Sequence, residues 1–160
     1  MRPRVAVLTV SDRCSRGERQ DLGGPAVAAA AEALGWEVVR RDLVSDDVGP
    51  IAEKLKSWCD GPGAPDAVLT TGGTGISSRD VTPEATRSVV EKELPGLAER
   101  MRRLGEASTP FAAISRGVCG TRGRTLVVNL PGSPKGAKES LEALAPVIPH
   151  AVGMLRGEDH

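Results

Sequence analysis

A short, nearly all-apolar run that ends in glycine leaves a chain few choices. Asp66 to Thr71 reads DAVLTT and runs straight into GGTG. The run is strand length and shows no polar alternation, so both of its faces must be covered, as in a central strand of a parallel sheet. Parallel neighbours are joined through crossovers, which are usually helical. The rest of the chain supplies both partners. Arg4 to Ser11 (RVAVLTVS) and Trp36 to Val44 read as further strands, and Thr125 to Asn129 and Phe111 to Ser115 as strand candidates around the turn-rich CGTRGR. Pro25 to Leu34, closed by Gly35, reads as a helix after a polar loop from Asp12 to Gly24. Asp47 to Cys59, with Ile51, Leu55 and Trp58 on one face, reads as another. Thr82-Pro83-Glu84 has the form of an N-cap, a proline in the first turn and an early acid, opening a helix through about Lys92. A helix from the Pro95-Gly96 punctuation to about Ala107, then Pro134 to Leu144 and Val147 to Leu155, complete the chain. Alternating strands and helices predict an open α/β sandwich with a mainly parallel sheet.

At 160 residues, residues 1–160 are expected to form a single domain. Basic and acidic side chains both number 21, with no long block of one sign, and the aromatics are Trp36, Trp58 and Phe111 alone. Neither the charge for a polyanion nor the rings for base stacking are present, so no nucleic-acid partner is expected. No membrane partner is expected either, because no apolar stretch approaches spanning length. Cys14, Cys59 and Cys119 are odd in number and widely spaced, and the first residues lack a signal-peptide pattern. A reducing, cytoplasmic location is the expectation. The two histidines, His150 and His160, fall at the end of the chain, so chemistry must rest on carboxylates, hydroxyls, backbone amides, cations or a borrowed metal.

In open α/β sheets, ligands bind outside the carboxyl ends of the strands. Four segments should meet there: Ser11-Asp12-Arg13, Ser45-Asp46-Asp47, the stretch after Thr71, and Asn129 to Pro134 (NLPGSP). Three offer an aspartate. The glycines Gly72, Gly73 and Gly75 would let backbone N–H groups approach phosphate oxygens. A tight turn holding nothing would use the same glycines. No lysine follows in a Walker A pattern, and Gly73, Gly75 and Ser78 match a dinucleotide fingerprint only with serine in place of the last glycine. Each aspartate alone could be a helix-terminal charge. Acids ending adjacent strand-loop units can, however, share a hard cation, and a carboxylate-lined, glycine-rich cleft suits a phosphate ligand with Mg²⁺. The amide of Asn129 and the hydroxyl of Ser133 are expected to face that cleft.

TTGGTG (Thr70 to Gly75), RDVTPEAT (Arg79 to Thr86), Pro95-Gly96 and NLPGSPKG (Asn129 to Gly136), in this order and preceded by VSDR at Val10 to Arg13, resemble the MogA/MoaB family, which includes the G domain of gephyrin. The resemblance implies a three-layer α/β/α sandwich, the molybdopterin-binding fold, in a protein of molybdenum cofactor biosynthesis. It implies a molybdopterin adenylyltransferase that uses ATP and Mg²⁺, with a non-catalytic MoaB-type binding or scaffold protein as the alternative. Asp46 and Asp80 match the family's essential, metal-associated aspartates. Ser11, Asp12, Thr71, Gly72, Gly73, Thr74, Gly75, Ser115, Asn129, Pro131, Gly132 and Ser133 fall where nucleotide or molybdopterin is bound. A homotrimer or hexamer, and the molybdenum insertase as a partner, are further implications. In the helix after Pro95-Gly96, Gly105 stands where some eukaryotic relatives have a ligand-contacting serine.

Overall fold

Strand β1 (Arg4–Val10) sends its alternate residues to opposite sides, and both sides are buried. Val5 and Val7 join one apolar cluster, while Ala6, Leu8 and Val10 join another. The computed structural model, which describes residues 2–158, therefore has a sheet with two covered faces. His160 lies outside the described residues. β1 is flanked by β2 (Glu37–Val44) and β3 (Ala67–Thr71), both parallel to it. β6 (Thr125–Leu130) continues the parallel set beyond β3, and β5 (Cys119–Arg122) and β4 (Lys92–Glu93) finish the six-stranded order β2-β1-β3-β6-β5-β4. Only β5 runs against the others.

The first face is closed by α2 (Gly23–Ala33), α5 (Pro95–Gly105), α6 (Pro134–Leu144) and α7 (Ile148–Arg156), the second by α3 (Val48–Asp60) and α4 (Thr82–Val89). The expected three-layer sandwich is what forms. β3 is its middle strand: Leu69 meets the α6 and α7 side and Val68 the α3 and α4 side, each 0% exposed. Burial on that scale stabilises by about 1.5–3 kcal/mol per large aliphatic side chain. At the amino ends of the strands, Asp66 accepts from the Arg4 amide and pairs with Arg156, tying β1, β3 and α7 together away from the loops that follow the strands. Among the described residues no helix is long and apolar enough to cross a membrane.

Three local expectations need correction. Phe111 to Ser115 is not a strand but a 3-10 turn, Pro110–Ile114, capped by the Thr109 hydroxyl, which accepts from the Phe111 amide. Pro110 cannot donate to a ladder, and Phe111 stays 74% exposed. The CGTRGR stretch is instead most of a hairpin. β5 and β6 are joined across Gly123-Arg124, with Gly123 at φ +56° in the first turn position, the place a two-residue turn of this kind reserves for glycine. Finally, α4 stops at Val89 rather than near Lys92, because Lys92 and Glu93 pair with Thr121 and Gly120. The loop from Asp12 also begins with a single helical turn, α1 (Asp12–Ser15), capped by Ser11.

Candidate functional site

The ends of β2, β1, β3 and β6 stand side by side, so the four segments expected to meet do meet. Gly72 and Gly73 sit at φ +103° and +70°. A Cβ on Gly72 would run into the Val10 carbonyl, and one on Gly73 would lie 3.1 Å from Asp46 Oδ1 and closer still to Thr82 Oγ1. Gly75 is hemmed in differently: its Cβ would lie 2.8 Å from Asp80 Oδ2. Absent side chains thus let the loop pass between the two aspartates. Gly132 completes the arrangement, since its Cβ would be 3.4 Å from Gly72 Cα.

Thr82 holds the loop from below. Its hydroxyl donates to the Gly72 carbonyl at 2.9 Å and its amide to the Gly73 carbonyl at 3.1 Å. The cap position of α4 is therefore Val81, one residue earlier than the sequence pattern suggests, and Thr82 is fully buried inside the first turn. Thr71 Oγ1 donates to the Pro131 carbonyl and fastens the end of β3 to the NLPGSP segment. Thr74 is buried, and its carbonyl accepts from the Arg116 amide.

Asp12 and Asp46 are interlocked: the Asp12 amide donates to Asp46 Oδ2 at 2.8 Å, and the Asp46 amide to Asp12 Oδ1 at 3.0 Å. Arg79 grips Asp12 with two nitrogens and reaches Asp47 Oδ1 with one of them. The Arg79 guanidinium, with the Asp46 amide, holds the Asp12 carboxyl down at about 2. Asp46 moves the other way. Burial raises its carboxyl above the ordinary value, and the negative charges of Asp12 and Asp80 push in the same direction against the Asp12 amide. Asp47 stands at the cap position of α3 without a side-chain cap bond; its carboxylate accepts from Ser45 and Arg79 instead. Asp80 Oδ2 accepts from the Ser77 amide at 3.0 Å and from its hydroxyl at 2.7 Å.

The raised Asp46 carboxyl has a consequence for stability. A folded pKa above the unfolded one means that ionised Asp46 costs the fold free energy at neutral pH, a cost that fades as pH falls through the folded pKa. Asp46→Asn still offers an oxygen to the Asp12 amide. It is expected to melt at or above the wild type at neutral pH, with the gap closing as pH falls through the folded pKa and gone below about pH 4, where the wild-type carboxyl is protonated in folded and unfolded chains alike. Melting curves across that range check the sign.

Asn129 departs from expectation. Its side chain is turned into the sheet and the α4 layer: Oδ1 accepts from the Val118 amide at 3.0 Å, and Nδ2 donates to Thr70 Oγ1 at 3.0 Å and Thr86 Oγ1 at 2.9 Å. Those buried polar atoms need partners and find them within the fold, while Asn129 also lines a cavity between α5 and α6. Asn129→Ala strands all three and should cost about 2–3 kcal/mol, read as a lower denaturant midpoint at unchanged m. Ser133 caps α6, accepting from the Gly136 amide at 3.0 Å, and stays exposed at the cleft. Ser11 likewise caps α1, accepting from the Cys14 amide at 3.2 Å.

Three concavities with shared walls lie over this surface. One, of about 200 Å³, lies between α5, the 3-10 turn and α6, with Met101, Arg102, Phe111, Ser115 and Ser133 among its walls. A second, about 380 Å³ and open, is bounded by Gly73, Gly75, Asp80, Phe111, Ser115 and Gly132. The third, about 410 Å³, is bounded in part by Ser11, Asp21, Thr71, Gly72, Gly132 and Ser133. Ser115, Gly132 and Ser133 are each shared by two of them, so one long ligand or two adjoining ones can lie across the strand ends.

A protein-family model described as "Probable molybdopterin binding domain" matches residues 6–150. The chain belongs to this MogA/MoaB family. The molybdopterin adenylyltransferase of Helicobacter pylori strain J99 is 41% identical over 155 residues, covering 96% of this chain and 88% of that protein. The solved structure of the molybdopterin biosynthesis enzyme MoaB from Thermus thermophilus is 52% identical, covers 98% of each chain and superposes with a TM-score of 0.91. The Drosophila melanogaster molybdenum cofactor synthesis protein cinnamon is also 41% identical, but the match spans only 25% of its length. Of the motif residues, Ser11, Thr71 to Gly75, Asp80, Asn129 and Pro131 to Ser133 border the three concavities, whereas Pro95-Gly96 lies apart, beside Lys92, Thr121 and His150. Gly105 lines the 200 Å³ cavity, and a Cβ there would lie 3.1 Å from Ala112 Cβ. A serine could enter only if the 3-10 turn gave way slightly.

Arg116 is not a candidate from sequence. It directly follows a segment whose composition suggests a strand, and no spacing rule pairs it with residues some forty positions earlier. Its Nε donates to the Gly75 carbonyl at 2.8 Å, Nη2 to the Asp80 carbonyl at 2.9 Å, and Nη1 and Nη2 to the Glu84 carboxylate.

Proposed function

We propose that this chain binds molybdopterin and adenylylates it with Mg²⁺-ATP. An oxygen of the pterin's terminal phosphate would form a bond to the α-phosphorus of ATP, the bond from that phosphorus to the bridging oxygen would break, and pyrophosphate would leave with the electron pair. The observation that carries this reading is the glycine loop packed between Asp46 and Asp80 at the adjoining concavities. The adenylyltransferase relative that the chain matches over most of both lengths supports it.

Bringing two phosphates together is chiefly a matter of placement and charge. The backbone of Gly72 to Gly75 would hold phosphate oxygens, and Ser11, Ser115 and Ser133 would orient the ligands. The donor set fits magnesium: Asp46 and Asp80 offer hard oxygens, and among the described residues no three His, Cys, Asp or Glu side chains gather to enclose an ion. The remaining ligands would then be phosphate and water oxygens, the way Mg²⁺ is usually held. When bound, Mg²⁺ would neutralise phosphate charge. The raised Asp46 carboxyl fits this role, because a nearby cation would favour its ionised form.

A second reading is a MoaB-type protein that binds without transfer. It is kept because a solved structure 52% identical to this chain is a MoaB. Purified protein mixed with molybdopterin, ATP and Mg²⁺ separates the two. Pyrophosphate release with adenylylated pterin supports catalysis, binding without product supports the second reading, and no binding removes both. A cytoplasmic location and assembly as a homotrimer or hexamer are proposed on the resemblance, with sedimentation as the measure of assembly. Transfer of product to a molybdenum insertase is proposed on the longer fly relative, in which the matching segment is one part of a larger protein.

A further inference from the structure

Residues 76–79 form an exposed loop whose two flanks, Gly75 and Asp80, are both site residues. The bonds of the Asp80 carboxylate and amide are to Ser77, inside the same loop. Such bonds shape the loop without fixing where it stands. On one side Arg79 ties it to Asp12 and Asp47. On the other, a single guanidinium reaches the carbonyls at both flanks, from a residue whose own amide is bound to Thr74 and whose neighbour, Ser115, lines two of the three concavities.

We propose that Arg116 is the positioning residue of this site: it fixes the Gly75-to-Asp80 loop against the Ser115 wall, and so sets where Asp80 stands relative to a ligand in the cleft. The geometry needs arginine. Its planar fork sends separate N–H groups to two carbonyls and a carboxylate at once, whereas a lysine ammonium is a single point that cannot span them. The bond to Glu84 alone would be a half-exposed ion pair on the first turn of α4, worth little. The two carbonyl bonds distinguish the proposed role from that one.

The catalytic half of the test rests on the adenylyltransferase reading; the structural half does not. Arg116→Lys and Glu84→Gln are compared with the wild-type chain by hydrogen exchange and by turnover of molybdopterin with ATP and Mg²⁺. Arg116→Lys should speed exchange of the two hydrogen-bonded loop amides, Ser77 and Asp80, by about tenfold or more while the β3 and β6 amides keep their protection. Its kcat should fall by about 100-fold, with the Mg²⁺ concentration for half-maximal rate raised and the KM for pterin little changed. Glu84→Gln should leave both readouts within about threefold of wild type. Wild-type exchange rates at Ser77 and Asp80 in Arg116→Lys would overturn the proposal, as would uniform acceleration over the whole chain, a wild-type kcat, or an equal loss in Glu84→Gln. If the wild type itself shows no turnover, the functional reading fails, and the exchange comparison still decides whether Arg116 fixes the loop.

Discussion

Asp80→Ala is expected to lower adenylylation by about 10³-fold or more while the protein keeps its fold. The magnitude is that of removing one preorganised charge-stabilising group from a site whose chemistry is mostly electrostatic. The fold should survive because, among the described residues, the Asp80 carboxylate bonds only to Ser77, three residues away in an exposed loop. Losing those bonds costs about 1 kcal/mol. The contrast between the two readouts makes the test sharp: turnover is measured beside the circular-dichroism spectrum and the melting temperature. Near-normal turnover would remove Asp80 from the mechanism, and collapse of the spectrum would make it a structural residue.

Gly72→Ala should do the reverse and attack the fold first. At φ +103° the backbone lies in a region that L side chains rarely adopt, and the new methyl would point at the Val10 carbonyl, which belongs to the central strand β1 and cannot rotate away. Strain and steric conflict together should cost about 3 kcal/mol or more. The loss would appear as a lower denaturant midpoint and as poor recovery of folded protein. Gly132 offers the control, since an added methyl there meets Gly72 Cα at an ordinary 3.4 Å and its backbone is unstrained. Equal stability in Gly72→Ala and wild type would mean that β1 can yield at its carboxyl end.

The sheet was legible because β3 announces itself. A run such as AVLTT has no polar face to offer solvent, and the alternation of strands and helices around it left one architecture. The aspartates and glycines were legible for a related reason: loops after parallel strands share an edge whatever their order in the chain. What failed was local and turned on single atoms. Phe111 to Ser115 has strand-like composition, but Pro110 and the Thr109 cap favour a 3-10 turn. The direction of the Asn129 amide was not legible either, because its partners Thr70, Thr86 and Val118 are brought together only by folding. Arg116 was invisible for the same reason, since its acceptors are main-chain carbonyls with no signature in a sequence.

The candidate site draws on residues near position 12, on 46 and 80, on 115 and 116, and on 131 to 133, joined through a middle strand that pairs with β1 on one side and β6 on the other. No half of the chain therefore contains half of the activity. A fragment that stops before Leu130 would carry both aspartates and the glycine loop, but not the Pro131 carbonyl that receives Thr71. On a ribosome, the cleft comes into being only after residues through 133 have emerged. Crossovers of this length also close slowly. A newly made molecule should pass from inert to ligand-competent in one late step, so the arrival of ligand binding can serve as a clock for the completion of folding.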